Sequence, residues 1–130
     1  MALYIVGTHA LVWYLSGSNQ LSQTARQVLD GAVRNEHQVN LPAIVLAELV
    51  MLSEKYGGRF NLAQIVARLR QVPGFRLTSL APEVALRIAD LAVLPDIHDR
   101  LIVAEALQAA ASLLTRDQAI AQAKVVPTIW

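Results

Sequence analysis

Four carboxylate side chains stand beside apolar segments, where they could support chemistry. Asp96 and Asp99 open a segment that then becomes mostly apolar, Glu48 interrupts a run of uncharged residues, and Asp117 follows a short apolar run. A carboxylate beside apolar residues risks losing its water and needs a cation or hydrogen-bond donors in compensation. These four residues are therefore the candidates for a site built from oxygen ligands.

Each carboxylate also has a simpler interpretation. Asp96 or Asp99 as the N-cap of a helix contributes about 0.5 to 2 kcal/mol, and Asp117 could cap the short helix predicted after it. A glutamate in a helix ordinarily faces solvent, but Glu48 lies among uncharged residues, which argues against that role. Capping and metal binding do not exclude each other, so both interpretations of the aspartates stay open.

The chemistry that clustered carboxylates support depends on the cation that they bind. The chain has no cysteine, and hard oxygen ligands without thiolates select Mg2+ or Mn2+. Such ions bind one or two carboxylates together with substrate phosphates, and they polarise a water molecule for attack on phosphorus. The candidate residues therefore predict phosphodiester hydrolysis.

The composition predicts one globular domain over residues 1–130. Hydrophobic residues make up 55% of the chain and charged residues 16%, which excludes a disordered protein and suggests that a partner or a second copy covers some apolar surface. No apolar run is long enough to span a bilayer, and no signal peptide is recognisable, so we expect a soluble cytoplasmic protein. The net charge of +1 allows nucleic-acid binding without requiring it.

Apolar runs and turn residues predict strands that alternate with helices. We therefore expect an α/β fold, a three-layer α/β/α sandwich with a central, mostly parallel sheet. The predicted strands are Leu3 to Val6, Val39 to Leu41, Phe75 to Thr78, Ser112 to Thr115 and Val125 to Val126. The predicted helices are Thr8 to Leu15, Ser22 to about Asn35, Ala43 to Tyr56, Asn61 to Gln71, Ala81 to about Ala92, a central helix from about Asp96, and Ala119 to Ala123.

In such a sheet the site lies where strands end and helices begin. Gly7 and Thr8 follow the first predicted strand, and Thr115 to Asp117 follow the fourth. Glu48 and Asp99 lie in or near the opening turns of helices. These elements are expected to converge on one edge of the sheet.

The motifs in these elements, in this order and spacing, resemble those of PIN-domain ribonucleases, specifically the VapC-type toxins of type II toxin-antitoxin systems. The resemblance spans essentially the whole chain. The segments that carry it are Tyr4-Ile5-Val6-Gly7-Thr8-His9-Ala10-Leu11-Val12-Trp13, Leu46-Ala47-Glu48-Leu49, Leu94-Pro95-Asp96-Ile97-His98-Asp99-Arg100-Leu101-Ile102-Val103-Ala104, Leu113-Leu114-Thr115-Arg116-Asp117 and Pro127-Thr128-Ile129-Trp130.

The resemblance implies a metal-dependent endoribonuclease that uses Mg2+ or Mn2+. Carried over, Glu48, Asp99 and Asp117 are catalytic and metal-binding residues, Asp96 is an additional carboxylate, and the supporting hydroxyls are those of Thr8 and Thr115. The implied partners are an RNA substrate, a small VapB-like antitoxin whose C-terminal segment blocks the acidic pocket, and a second copy of the chain in a homodimer.

The chain departs from the family pattern at Gly7. The family has an aspartate at this position, so the carboxylate expected to hold the principal metal ion is missing. Two explanations are open: the residue was changed deliberately to make a toxic nuclease harmless, which the intact stretch Thr8 to Trp13 favours, or the chain is a naturally degenerate member. Either way, metal affinity and activity are expected to be weakened or lost.

Other polar and aromatic residues near these motifs are given structural roles. His9 and His98 have no partner at helical ligand spacing and are not interpreted as catalytic. Arg100 and Arg116 flank acids, and pairing within the fold is given at least as much weight as phosphate contact. The aromatic residues placed in the core or at a dimer interface, rather than in base stacking, are Trp13, Tyr14 and Trp130. The carboxylates interpreted as ordinary helix residues are Asp90 and Glu105.

Two other function classes remain as alternatives. A catalytically inactive PIN fold that binds RNA or an antitoxin is favoured by Gly7. A phosphotransferase or phosphatase acting on small molecules shares the carboxylate chemistry, but the chain lacks a glycine-rich phosphate-binding loop. The resemblance therefore leaves a ribonuclease and a binding module as the two hypotheses to separate.

Overall fold

A parallel sheet forms the centre of the protein in a computed structural model that describes residues 2–58 and 60–130. The strands within these ranges lie in the order β3-β2-β1-β4-β5, and every pairing is parallel. The predicted α/β class is confirmed. The strands are β1 (Leu3–Val6), β2 (Gln38–Pro42), β3 (Phe75–Thr78), β4 (Ser112–Leu114) and β5 (Thr128–Ile129).

Helices connect the strands, as parallel pairing requires. Two of the predicted helices begin at residues that cap them: the Ser22 hydroxyl accepts from the amide of Ala25, and the Asn61 side chain accepts from the amide of Gln64. The helices are α1 (Thr8–Ser16), α2 (Gln23–Val33), α3 (Ala43–Lys55), α4 (Leu62–Arg70), α5 (Pro82–Arg87), α6 (Ile97–Ala109) and α7 (Gln118–Ala123).

Two predicted elements differ from the structure. The last strand is Thr128–Ile129 rather than Val125 to Val126. Val126 is 7% exposed, so its apolar character reflects core packing and not strand pairing. Helix α5 ends at Arg87 and continues as a 3-10 turn, Ile88–Asp90, instead of running as one helix to Ala92.

Strand β1 lies at the centre of the sheet, and its neighbours explain where a site can form. The chain leaves β1 towards β2 on one side and later returns to β4 on the other side. This arrangement opens a crevice at the carboxyl ends of β1 and β4, which is where open α/β sheets bind ligands. Ile5 and Leu113 are completely buried and anchor the two strands in the core.

Glu105 contradicts its interpretation as an ordinary helix residue. Only 7% of it is exposed in the middle of α6, and within the described residues its Oε1 has no hydrogen-bond partner. Burial raises the pKa of this carboxyl above its usual range. Glu105 is therefore a buried acid that the core accommodates at a cost.

The surface includes large apolar side chains, as the composition suggested. Met51 is 66% exposed, Leu86 77% and Val93 64%. Among the described helices, none has both the length and the apolar character needed to cross a membrane.

Candidate active site

A pocket of about 400 Å³ lies at the carboxyl ends of β1 and β4. Its lining combines Gly7, which follows β1, with residues from α1, α3, α6, β4, the loop after β4 and α7, so the expected convergence of these elements is observed. The predicted site residues in this lining are Gly7, Thr8, Glu48, Asp99, Thr115 and Asp117.

Gly7 joins β1 to α1 at the base of the pocket. Its amide donates to the carbonyl oxygen of Leu114 at 3.0 Å, which ties the two strands together. Its φ of −75° and ψ of 159° are accessible to any residue. A Cβ added here would lie 3.0 Å from the Leu114 carbonyl oxygen and 3.8 Å from the Cβ of Thr115. A side chain at position 7 therefore needs a shift of a few tenths of an ångström in its neighbour, but no change in backbone conformation.

Glu48 reaches the pocket from α3 and is held by α1. The buried hydroxyl of Thr8 donates to Oε1 of Glu48 at 2.8 Å. This bond fixes one carboxylate oxygen and leaves the other free of any described side-chain bond. Thr8 therefore contacts Glu48 directly, and its supporting role in a reaction stays a prediction.

Asp99 stands in the first turn of α6 and faces an acidic environment. Burial is the largest cause that raises the pKa of Asp99 to about 6. The negative charges of Asp117, Asp96 and Glu48 act in the same direction, in that order. A carboxyl with this pKa is partly protonated near neutral pH. A neighbouring cation would therefore stabilise the ionised form of Asp99.

Asp117 lies at the pocket and also caps α7. Its Oδ1 accepts from the amide of Ile120 at 3.0 Å, and its own amide donates to the Thr115 hydroxyl at 3.1 Å. Capping uses one carboxylate oxygen and leaves the other without a described partner. The two interpretations of this residue are therefore compatible.

Asp96 lies outside the pocket lining. Its Oδ1 accepts from the amides of His98 and Asp99 as the N-cap of α6, and it lies 3.7 Å from Nδ1 of His98. Its observed contacts are those of a cap. It influences the site through its charge on Asp99.

Three aromatic side chains form part of the pocket wall, a position that the sequence interpretation missed. Trp13 lies 5.6 Å from His9 and 5.8 Å from Trp130 between ring centroids. We call these three residues the aromatic wall. Trp13 and Trp130 also pack against the core, as predicted. The guanidinium of Arg116 lies over the Trp13 ring, with Cζ 4.4 Å from its centroid.

The other arginine and aromatic candidates have structural contacts. Arg100 donates to the backbone carbonyls of Leu94 and Ile88 and is not part of the pocket lining. Tyr14 donates its hydroxyl proton to Asp30 at 2.7 Å, and burial with this bond raises the pKa of Tyr14 to about 12. Both residues therefore hold helices in place.

The carboxylates do not complete a metal centre. In residues 2–58 and 60–130, no group of three or more histidine, aspartate or glutamate side chains is arranged to hold a metal ion. Gly7 has no side chain where the resemblance places an aspartate. The residues present therefore do not fit a complete Mg2+ or Mn2+ site, although three acids share the pocket.

Comparisons with known proteins agree on the type of fold. Residues 4–126 match the family model described as PIN domain. VapBC2 from Rickettsia felis, bound to a DNA fragment from its promoter, has 18% identity and a TM-score of 0.73, with 98% of both chains covered. No curated protein sequence matches the chain significantly.

Two further solved structures share the fold. DNA-bound VapBC from Salmonella typhimurium has 14% identity and a TM-score of 0.73, covering 99% of this chain and 98% of that one. Mycobacterium tuberculosis VapC20, a toxin that cleaves the sarcin-ricin loop, has 17% identity and a TM-score of 0.69, covering 95% and 96%. At these identities the likeness concerns the fold.

Proposed function

Because this chain belongs to the PIN-domain family, we propose that it is a VapC-like endoribonuclease fold whose hydrolytic centre is incomplete at Gly7. The observation that carries this proposal is the acidic pocket itself. Glu48, Asp99 and Asp117 line it together with Gly7, at the crevice where an open α/β sheet binds its ligand.

The pKa of Asp99 supports the same proposal. Fold stability alone does not favour a half-buried carboxylate beside three others, because repulsion among their negative charges is costly. Acids that raise one another's pKa values in a cleft are typical of functional sites. The pocket therefore has the electrostatics of a site made for a cation and an anionic substrate.

A divalent ion, when bound to a complete acidic centre, would polarise the attacking water. The chain as it stands lacks the ligand set for that ion, so we assign no step to a metal here. Its own residues would bind and orient: Thr8 holds Glu48 by the 2.8 Å bond, and the amide of Asp117 is held by Thr115. Asp99 would exchange a proton near pH 6.

The proposed partners follow from the proposed function. The substrate is RNA, and a small VapB-like antitoxin would cover apolar surface next to the pocket, where Met51 and Ile97 are 66% and 55% exposed. Two solved structures with this fold are VapBC complexes bound to DNA. We also propose a homodimer and a cytoplasmic location for this chain.

Restoring a carboxylate at position 7 tests the proposal. We expect Gly7→Asp to bind Mn2+ measurably more tightly than the parent and to cleave total RNA in its presence. A metal ion contributes several kcal/mol to such a reaction, so the cleavage rate should rise at least about 100-fold. The measurements are calorimetric Mn2+ titration and RNA cleavage followed by gel electrophoresis.

The matched control is Gly7→Asn, which has the same shape without the charge. Both variants place a Cβ 3.0 Å from the Leu114 carbonyl oxygen, so steric effects on folding are shared between them. Activity in Gly7→Asp alone supports a disarmed nuclease. If a folded Gly7→Asp variant binds Mn2+ and still leaves every RNA intact, the nuclease assignment is wrong.

A second candidate function is a binding module that no longer cuts. Gly7 and the incomplete ligand set favour it. This module would bind RNA or an antitoxin in the same pocket without hydrolysis. RNA cleavage by the unmodified chain, dependent on a metal and lost on addition of a chelator, would exclude it.

A further inference from the structure

Arg116 occupies an unusual position for a cation in an acidic pocket. It lines the pocket together with Glu48, Asp99 and Asp117. Nevertheless, within the described part of the chain no carboxylate oxygen lies within 4.0 Å of its guanidinium, since the ion pairs there involve Arg34 and His98. Its observed contact is the stack over Trp13. The guanidinium is therefore held in place by an aromatic ring and not by an acid.

This stacking leaves the hydrogen-bond donors of Arg116 available. A guanidinium lying over an aromatic ring directs its five N–H donors outward in its own plane. None of these donors has a side-chain or backbone acceptor among the described residues. The neighbouring Asp117 accepts from the amide of Ile120 instead. Arg116 thus presents an unpaired, oriented fork of donors.

The aromatic wall restricts the position of the Trp13 ring. Trp130 meets it at 66° with centroids 5.8 Å apart, and His9 lies 5.6 Å away on the same helix as Trp13. Trp13 is also packed against the hydrophobic core. A surface arginine normally loses side-chain entropy when it binds a ligand, and this stack has already restricted Arg116.

The ligand that suits such a fork is a phosphate group. Planar guanidinium groups bind phosphate through two parallel hydrogen bonds. Arg116 is also the one lysine or arginine among the described residues that line the pocket. A polyanion approaching three carboxylates is repelled, and Arg116 supplies the positive charge that can offset this repulsion at the same pocket.

We propose that Arg116, stacked on Trp13, is the phosphate-binding residue of the pocket and holds one phosphate of a single-stranded RNA beside the carboxylates. Trp13 is its positioning residue. This inference rests on the proposed function, because it names how the proposed RNA substrate is held. The same donor fork could also bind free phosphate, and the experiment below separates the two sources.

The chain provides its own reporter for this experiment. It has two tryptophans, Trp13 and Trp130, and both belong to the aromatic wall. RNA that binds at Arg116 should change the intrinsic tryptophan fluorescence of the unmodified chain. The probe is a fluorescently labelled single-stranded oligoribonucleotide of mixed sequence, and its anisotropy gives the affinity at several salt concentrations for the parent and every variant.

The salt dependence distinguishes a phosphate contact from a structural role. Each phosphate contact to a single strand contributes about 0.7 to the slope of log affinity against log salt. We expect Arg116→Gln to weaken binding about tenfold and to reduce this slope by about 0.7. Arg116→Lys should keep the slope and still bind more weakly than the parent, because the charge remains but the planar guanidinium over Trp13 is lost.

The positioning role of Trp13 has its own variants. Trp13→Leu should weaken RNA binding, and combining it with Arg116→Gln should add little further loss, since both changes remove the same contact. Trp13→Phe retains an aromatic face and should bind almost as the parent does. Arg68→Gln, at an exposed position in α4, is the matched control for lost charge and should leave the slope unchanged. Circular dichroism identifies any variant that fails to fold.

Each alternative result has a definite meaning. If the parent binds RNA and Arg116→Gln binds with the same affinity and slope, the inference is wrong while the proposed function stands. If the parent does not bind RNA under any salt condition, the proposed function and the inference both fail. Inorganic phosphate is titrated separately at matched ionic strength. Tryptophan quenching by phosphate but not by RNA would assign Arg116 to free phosphate and overturn the RNA contact.

Discussion

Two acids on the same helix have very different surroundings. Asp99 and Glu105 both belong to α6, and burial is the first cause that raises the pKa of each. Around Asp99, three further carboxylates add to this effect. Glu105 has burial alone as its cause, and its Oε1 has no partner among the described residues.

The difference teaches that a raised pKa by itself does not identify a site. Burial raises the pKa of both carboxyls, but of the two only Asp99 lines the pocket, together with Glu48 and Asp117. Convergence of several acids at the end of a strand is costly for the fold and therefore points to a function. An isolated buried acid such as Glu105 points first to a cost in stability.

The largest expected effect separates the two acids by activity. In the Gly7→Asp background, Asp99→Asn should lower RNA cleavage at least about 100-fold, because it removes a carboxylate from the restored centre. In the same background, Glu105→Gln should keep the cleavage rate within about twofold of its reference, a change of less than 1 kcal/mol in the barrier. Initial rates of RNA cleavage with Mn2+ measure both.

Equal losses in these two variants would remove the distinction between pocket and core. That outcome would mean that α6 as a whole, and not the carboxylate of Asp99, controls the activity. Thermal unfolding of each variant shows whether a lost fold explains a lost rate.

The next effect concerns stability at Glu105. Glu105→Met replaces a buried, unpartnered acid with an apolar side chain of similar length, and we expect the free energy of unfolding to rise by about 1 to 3 kcal/mol at pH 7. An acid with a raised pKa destabilises the fold most when it is ionised, so the gain should be smaller at pH 4 than at pH 7. Urea unfolding at both pH values measures it.

Glu54, which is exposed on helix α3, provides the control for Glu105. Glu54→Met makes the same chemical change at the surface and should alter stability by less than about 0.5 kcal/mol. A Glu105→Met variant that is less stable than its parent would show that the buried carboxylate has a stabilising contact.

The smallest effect is the pH dependence at Asp99. Its folded pKa of about 6 exceeds the ordinary aspartate value of 3.8, so the folded state binds the proton more tightly and stability falls as pH rises from about 4 to about 6. Asp99→Asn cannot ionise and should remove this fall. At pH 7, with a chelator present, it should be about 1 kcal/mol more stable than the parent, after allowance for solvent screening.

The comparison variant for this prediction is Asp90→Asn, at an exposed position. It should leave the difference in stability between pH 4 and pH 7 as it is in the parent. An Asp99→Asn variant that retains the full pH dependence would place the titrating group elsewhere and weaken the electrostatic argument for the pocket.

Much of the fold could be predicted because short segments of the sequence determine its strands and helices. Apolar runs bounded on one side by glycine or proline predicted three of the strands, and a short apolar run alone predicted β4. Residues such as Ser22 predicted where helices begin. The approximate position of the site followed from the same signals, because parallel strands end at a common edge. These features depend on neighbours in the chain, which a sequence shows directly.

The errors arose where distant contacts decide the structure. Helix α5 gives way to a 3-10 turn at Ile88, whose carbonyl oxygen accepts from Arg100. Val126 is buried by packing while Thr128 pairs with Leu113. Neither contact can be recognised from the neighbouring sequence, because the two partners in each are more than ten residues apart in the chain.

The candidate site shows the same division. The carboxylates could be found from their apolar surroundings and from the resemblance, and their shared pocket is observed. The stack of Arg116 on Trp13 could not be predicted, since it joins α1 to the loop after β4. Glu105 was misjudged because its position in a helix gives no information on which neighbouring element covers it.

The tie between Gly7 and Leu114 has a consequence for the timing of synthesis. The pocket needs the end of β1, the loop after β4 and Trp130, which are separated by most of the chain. A ribosome that has released only the first hundred residues has therefore not yet produced a chain that can form it. Such distant pairings form late in folding, so the acidic pocket appears only after the segment up to Trp130 has been synthesised. A truncated or stalled product would carry Glu48 and Asp99 without the surface that brings them together with Asp117.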